Sequence, residues 1–128
     1  MPDDNATDPR RSLGALGEEM ATEHLRARGY QIIARNFRTR WGELDIVAAD
    51  RRTLVFCEVK TRRATSRWRD PLESVDQRKR VRLRRMAGQW LAQRRAGPGW
   101  PTCRFDAIGI TVDAHGELLR LDHIEGAF

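Results

Sequence analysis

The sequence predicts an α/β fold with a mixed central sheet and helices on both faces. Two observations carry this. A pair of adjacent strands is apolar on both sides, so it needs cover on both. The element order is helix, three strands, helix, two strands, which places one helix as a crossover between strands.

Residues 1–11 are polar, carry no apolar h-region and read as a disordered lead-in, leaving 12–128 as a single domain. The first helix is predicted over Gly14 to Arg28. Leu13, Leu16, Met20, Ala21 and Leu25 recur at helical spacing, with Ser12 as N-cap and Gly29 as C′ residue. At about 100° per residue Glu18 falls at the edge of this stripe, beside Ala21 and Leu25, while Glu19 and Glu23 face water.

A strand over Tyr30 to Phe37 is followed by the linker RTRWG. Strands over Glu43 to Ala49 and Thr53 to Thr61 then form a hairpin around Asp50-Arg51-Arg52. One hairpin face carries Leu44, Ile46, Val55, Cys57 and Val59, the other Val47, Leu54 and Phe56. Arg62 to Arg69 reads as a basic loop. Asp70-Pro71 opens a long helix to about Arg95, with Val75, Val81, Met86, Ala87, Trp90 and Leu91 on its buried side. Gly97-Pro98-Gly99 ends it, and strands over Arg104 to Val112 and Glu117 to Ile124 close the chain.

With 40% hydrophobic and 33% charged residues the chain reads as a soluble globular protein, and no apolar run is long enough for a membrane span. Cys57 and Cys103 sit in apolar strand-like runs. They match no metal or disulfide framework and are expected as buried hydrophobes in a reducing cytoplasm. A net charge of +6 and a pI near 10.5 favour a polyanionic partner. Six of the eight residues from Arg78 to Arg85 are cationic, either a phosphate-binding stripe or a solvated helix face. Arg78, Lys79, Arg82 and Arg85, with Arg62 and Arg63 of the preceding loop, are the expected nucleic-acid contacts. Trp41 and Trp68, in basic loops, can stack on unpaired bases. Trp90 and Trp100 are expected in packing.

Of the 24 basic residues all but Lys60 and Lys79 are Arg. A compact ammonium does work that a forked guanidinium does not, so these two positions stand out. If the hairpin turn centres on Arg51-Arg52, opposed residue numbers sum to 103 and Asp45 lies opposite Glu58. Opposed side chains leave one face, and Lys60, two residues on, shares it. Two adjacent carboxylates repel unless a cation lies between them, and Mg²⁺ or Mn²⁺ suits oxygen ligands. Glu18 can add a ligand from the helix edge. Such a centre supports attack of water on a bound phosphate, with Lys60 stabilising the transition state. Taken alone, the Asp45, Glu58 and Lys60 pattern also fits an exposed cross-strand ion pair with Asp45 capping a strand. Asp106, turned away from Phe105, is expected to pair with an Arg; His24, His115 and His123 show no metal-like spacing.

The segments GALGEEMATEHL, GYQIIARNFRTRWGELDIVAAD, LVFCEVKTR, the Lys79 helix, RFDAIGI and the closing HIEGAF resemble the YraN family of small bacterial proteins over about Gly14 to Phe128. That family is in turn similar to the PD-(D/E)XK nuclease superfamily, including Holliday-junction resolvases. The resemblance implies a restriction-endonuclease-like mixed central sheet with helices on both faces. It implies metal ligands at Asp45 and Glu58, a catalytic lysine at Lys60, and a helix-borne acid at Glu18. Leu44-Asp45 stands where the superfamily has Pro-Asp. It also implies a site-facing Gln or Lys on the later helix, for which Gln77 and Lys79 are the candidates. Fold transfers more safely than activity.

The expected function is a Mg²⁺- or Mn²⁺-dependent endonuclease hydrolysing phosphodiesters in structured or branched DNA, DNA before RNA. A homodimer is compatible with cutting both strands, although no interface is legible. The rivals are a non-cleaving nucleic-acid-binding module of the same fold and a partner-binding structural protein.

Overall fold

The computed structural model of the chain describes residues 9–64, 77–94 and 99–128, with side chains from Leu13 onward. The elements are α1 (Pro9–Ala27), β1 (Gln31–Thr39), β2 (Gly42–Ala49), β3 (Thr53–Arg63), α2 (Gln77–Gln93), β4 (Thr102–Val112) and β5 (Leu118–Ile124). The strands form one mixed sheet in the order β1-β2-β3-β4-β5. Every pairing is antiparallel except β3 with β4, which runs parallel from Thr53↔Thr102 to Arg63↔Val112. A parallel pair needs a crossover, and the chain supplies it with the segment that contains α2. Among the described residues no helix is long and apolar enough to cross a membrane.

The sheet is apolar on both faces, as its sequence requires. On one face Ala21 and Leu25 of α1 pack on Ile46, Ala48, Val55, Cys57, Ile108 and Ile110. On the other, Leu83, Met86, Ala87 and Trp90 of α2 pack on Leu44, Val47, Leu54 and Phe56. Trp90 meets Phe56 edge to face, with ring centroids 5.9 Å apart. The approach of α1 depends on Gly17, where a Cβ would overlap the Thr61 side chain of β3. That close contact brings the next residue, Glu18, to the end of β3.

Several boundaries and burial assignments differ from expectation. Helix α1 begins at Pro9, ahead of the expected Ser12 cap and inside the expected lead-in, whose residues 1–8 lie outside the described residues. Gly29 does end it with φ 92°. The RTRWG linker is a tight turn, since Thr39 already pairs with Gly42. Leu44 joins the α2 side rather than the α1 side with Ile46. The pleat of β1 is interrupted at Asn36, which has φ 56° and lies between the pairs Arg35↔Ile46 and Phe37↔Leu44. Val81 and Leu91 are 43% and 41% exposed, because the helical stripe runs through Leu83 instead. Cys57 is buried but Cys103, near the start of β4, is exposed. Arg62 and Arg63 belong to β3, not to a loop, and the Arg63 guanidinium faces the carbonyls of Asp113 and Ala114. The expected Asp70-Pro71 helix start, Trp68, Val75 and the Gly97-Pro98 stop lie outside the described residues.

A polar network ties β4 and β5 to α1. Asp106, fully buried, accepts two hydrogen bonds from Arg104, at 2.8 and 2.9 Å, which bears out the expected Arg pair. His123 Nε2 lies 2.7 Å from Asp106 Oδ2, the oxygen that also accepts from Arg104 Nη2, and His24 Nε2 lies 3.0 Å from His123 Nδ1. Burial and the neighbouring His123 hold the His24 pKa below its ordinary value.

Candidate functional site

Five elements, α1, β1, β2, β3 and α2, converge where β2 and β3 part. The turn is pinned by Asp50 Oδ1, which accepts the N–H groups of Arg52 and Thr53 at 2.8 and 2.7 Å. This sets the register: Ala49↔Leu54 through Ile46↔Cys57, each pair summing to 103 as expected. The ladder stops at Ile46↔Cys57. Asp45 and Glu58 are the next positions, and there the Asp45 carboxylate replaces a backbone acceptor, taking the Val59 N–H at 2.8 Å.

Around Asp45 the acids gather. One carboxylate oxygen each from Glu18 of α1, Glu43 and Asp45 of β2 lies within 4.8 Å of the others. Asn36 closes the group from β1. Its amide orientation is set by the acceptors facing it, and its NH₂ donates to Glu43 Oε1 at 2.6 Å and to the two Glu18 oxygens at 2.9 and 3.1 Å. The left-handed backbone at Asn36, a conformation Asn tolerates, aims the amide there. Glu58 stands on the far side of Asp45 from β1 and meets both lysines: Lys79 Nζ at 2.9 Å and Lys60 Nζ at 3.8 Å from the same oxygen. Lys79 is 8% exposed, while the Lys60 side chain is 46% exposed and reaches solvent at the mouth of the site.

This geometry perturbs the acids. Burial pushes the Asp45 pKa up to about 7; the Val59 hydrogen bond opposes this, and the charges of Glu18, Glu58 and Glu43 add to it. Glu18 is raised by burial and by Glu43, with Arg35 opposing. Three clustered carboxylates are under strain from like charge, and an all-oxygen donor set of this kind is chemically suited to a hard divalent cation.

The structure thus brings together Glu18, Asp45, Glu58 and Lys60, as read from the sequence, but divides their work differently. The expected cation position was between Asp45 and Glu58. The close trio is instead Glu18, Glu43 and Asp45, and Glu58 is the anchor for two ammonium groups. Lys79, expected both as a nucleic-acid contact and as the site-facing residue, is the latter: it is buried against Glu58. Arg78, Arg82 and Arg85 remain exposed on the neighbouring face of α2. Glu43 and Asn36 were missed. Glu43 had a signal, since it precedes Asp45 by two residues and the period of a strand puts both on one face. Asn36 had none beyond the tolerance of Asn for positive φ.

Residues 17–110, spanning every one of these side chains, match the uncharacterised protein family UPF0102. The chain belongs to that family. Full-length relatives agree. A UPF0102 protein of Mycolicibacterium vanbaalenii is 43% identical over 121 residues, covering 94% of this chain and 96% of its own. One of Acidothermus cellulolyticus is 44% identical over 127 residues, covering 93% and 95%. One of Moorella thermoacetica is 43% identical over 122 residues, covering 95% and 99%. UPF0102 is the YraN family of the sequence resemblance, and the five-stranded mixed sheet of this member is consistent with a restriction-endonuclease-like arrangement.

Proposed function

We propose that this UPF0102 member is a metal-dependent endonuclease acting in the cytoplasm on structured or branched DNA, with Mg²⁺ or Mn²⁺ as cofactor. The observation that carries this reading is the placement of half-buried Asp45 within 4.8 Å of Glu18 and Glu43, beside an acid that holds two lysines. An acid pushed up to about 7 in this way is costly to keep in a merely structural site. A pure nucleic-acid binder would gain nothing from acids facing phosphate, which argues against the non-cleaving reading.

Glu18, Glu43 and Asp45 would hold the cation, with Glu58 near enough to act on Asp45 electrostatically. Bound there, it would neutralise charge on the phosphate and make water a better nucleophile. The remaining roles belong to the chain. Asn36 keeps the Glu18 and Glu43 carboxylates together, so that little reorganisation is needed on binding. Lys79 fixes Glu58 from the buried side, and Glu58 aims the exposed Lys60 ammonium toward the position where a phosphate oxygen arrives. There Lys60 Nζ donates to the oxygen on which charge develops.

The test is a panel of branched, flapped, single-stranded and duplex DNA, with the matching RNA strands, incubated with Mg²⁺ or Mn²⁺. Wild type should cut at least one branched substrate, EDTA should stop it, and Asp45→Asn should lower the rate by a hundredfold or more. Equal cleavage by wild type and Asp45→Asn, or none on any substrate, overturns the reading.

A further inference from the structure

Helix α2 has a second face that the acidic site leaves unused. Lys79, Leu83, Met86, Ala87 and Trp90 are turned inward. Arg78, Val81, Arg82 and Arg85, at the i, i+3, i+4 and i+7 spacing of one helical stripe, line a groove of about 410 Å³ together with Gln77 and Trp41. Among the described residues no acid lines it. Val81 leaves 43% of its surface in water at its centre.

Trp41 reaches this groove from the turn between β1 and β2. Its backbone N–H donates to Thr39 Oγ1 at 3.1 Å, and the same hydroxyl donates to the Gly42 carbonyl at 3.0 Å. Gly42, with φ 136°, lets the turn lie close to the Met86 and Arg82 side chains. The Arg40 guanidinium stacks 4.6 Å from the centre of the Trp41 ring. The result is an aromatic and aliphatic floor rimmed by guanidinium groups. A purely solvated helix face does not need the floor, and an acidic peptide needs only the rim. A nucleotide needs both, because its base is flat and apolar on its faces and its phosphates are anionic.

The groove also adjoins the acidic site through two covalent links. Trp41 and Glu43 are two residues apart on one hairpin, and Arg78 is next to Lys79, which touches Glu58.

The geometry points to an unpaired nucleobase as the occupant: the Trp41–Val81 groove takes a base from a single-stranded flap or branch point, and Arg78, Arg82 and Arg85 hold its flanking phosphates. The choice of polymer rests on the phosphodiester-hydrolysing function proposed above. A base inside a duplex is stacked and paired, so blunt duplex offers the groove nothing but phosphate. The groove thus makes single-strand character next to duplex the feature that is recognised.

Fluorescence anisotropy with the full chain in EDTA tests this without requiring cleavage. The probes are a blunt DNA duplex, the same duplex carrying a short single-stranded flap, and that flap with abasic sugars. Stacking on one aromatic platform predicts that the flap binds about fivefold to a hundredfold tighter than its abasic form. Trp41→Ala should erase this difference, Trp41→Phe should keep most of it, and Val81→Asp, at an exposed position, should abolish it with the fold intact. Arg82→Gln should weaken all probes and flatten the salt slope by about one unit. Equal binding of intact and abasic flaps overturns the proposal, whatever the variants do. So does displacement of the flap by a poly-glutamate peptide with no base dependence, which would make the groove a protein-docking surface. Base discrimination without cleavage under Mg²⁺ or Mn²⁺ would sink the nuclease reading and leave the groove standing; cleavage without base discrimination would do the reverse.

Discussion

Asp45 Oδ2 accepts the Val59 backbone N–H at 2.8 Å, just beyond the last β2–β3 ladder pair, Ile46↔Cys57. The carboxylate fills the place of a main-chain acceptor, so its half-buried position is set by the architecture and not by chance packing. One N–H does not offset burial beside Glu18, Glu43 and Glu58, and the Asp45 pKa rises to about 7.

This fixes the sign of a stability measurement. An acid whose folded pKa is raised binds its proton more tightly folded than unfolded. The metal-free protein should therefore gain stability from this group as pH falls from about 7 toward the unfolded value of 3.8. Asp45→Asn, which keeps the acceptor for Val59, should stabilise the metal-free protein at pH 8 by on the order of 1–2 kcal/mol and flatten this dependence. Urea unfolding in EDTA at pH 8 and pH 5.5 measures both. A variant less stable than wild type at pH 8 would mean that Asp45 is a structural acid.

Asn36 should govern metal affinity with little effect on the fold. Asn36→Gly accepts φ 56° without strain and removes the amide that joins Glu18 to Glu43. Mn²⁺ affinity by calorimetry should fall by roughly tenfold, the usual result of losing a partner that orients a metal ligand. Unchanged affinity would show that the carboxylates do not need the bridge.

Gly17→Ala should reverse the usual helix rule. Ala normally stabilises a helix interior by about 1 kcal/mol relative to Gly. Here the added methyl would meet Thr61, including its Cβ at 2.8 Å, and the helix must move off β3. Overpacking of this kind costs about 1–3 kcal/mol, so the net change should be destabilising. A rise in Tm for Gly17→Ala would contradict the close approach.

The His24–His123 pair carries a second pH dependence of opposite sign. His123 Nε2 faces the Asp106 carboxylate, so the His24–His123 hydrogen bond needs one of the two facing nitrogens to lack a proton. Full protonation of both rings breaks it. Because the His24 pKa is lowered from 6.5, its contribution is complete above 6.5 and is lost as pH falls through the folded value. Thermal melts of Asp45→Asn combined with Glu18→Gln, in which both raised acids are removed, should show Tm falling below pH 6.5. Adding His24→Gln should reduce that fall.

Much of this was legible in the sequence, for reasons that differ by residue. The two covered faces followed from strands apolar on both sides, whereas the strand order was not legible. The β2–β3 register followed from the short polar turn Asp50-Arg51-Arg52, although the ladder ends at Ile46↔Cys57, one pair before the expected Asp45–Glu58 opposition. Glu18 followed from helical periodicity. What was hidden depended on departures from period. Leu44 joins the α2 side where the β2–β3 ladder ends, and Asn36 faces the acids from a left-handed position in β1. Apolar periodicity places Val81 in the core, as it usually does on a helix; its exposure becomes intelligible only with Trp41 beside it in the same groove. The burial of Lys79 required knowing that α2 crosses the sheet above Glu58.

Lys60 is the residue on which the nuclease reading is most exposed to test. Its Nζ lies 3.8 Å from Glu58 Oε1, and its side chain is 46% exposed, so the ion pair itself adds little to stability. Lys60→Arg should accordingly leave folding within about 0.5 kcal/mol. The chemistry should respond differently. Glu58 is already held by Lys79 at 2.9 Å, and a guanidinium at position 60 would compete for the same carboxylate through a bidentate contact. It would then be drawn back onto Glu58 and away from the phosphate. Loss of one donor to a transition-state oxygen lowers the rate by about a hundredfold. Single-turnover cleavage of the best branched substrate by wild type and Lys60→Arg reads this directly, with circular dichroism to confirm the fold and Mn²⁺ calorimetry to confirm that the acid trio still binds. Cleavage at the wild-type rate would make Lys60 a surface ion-pair partner and remove the group that this mechanism assigns to the phosphate.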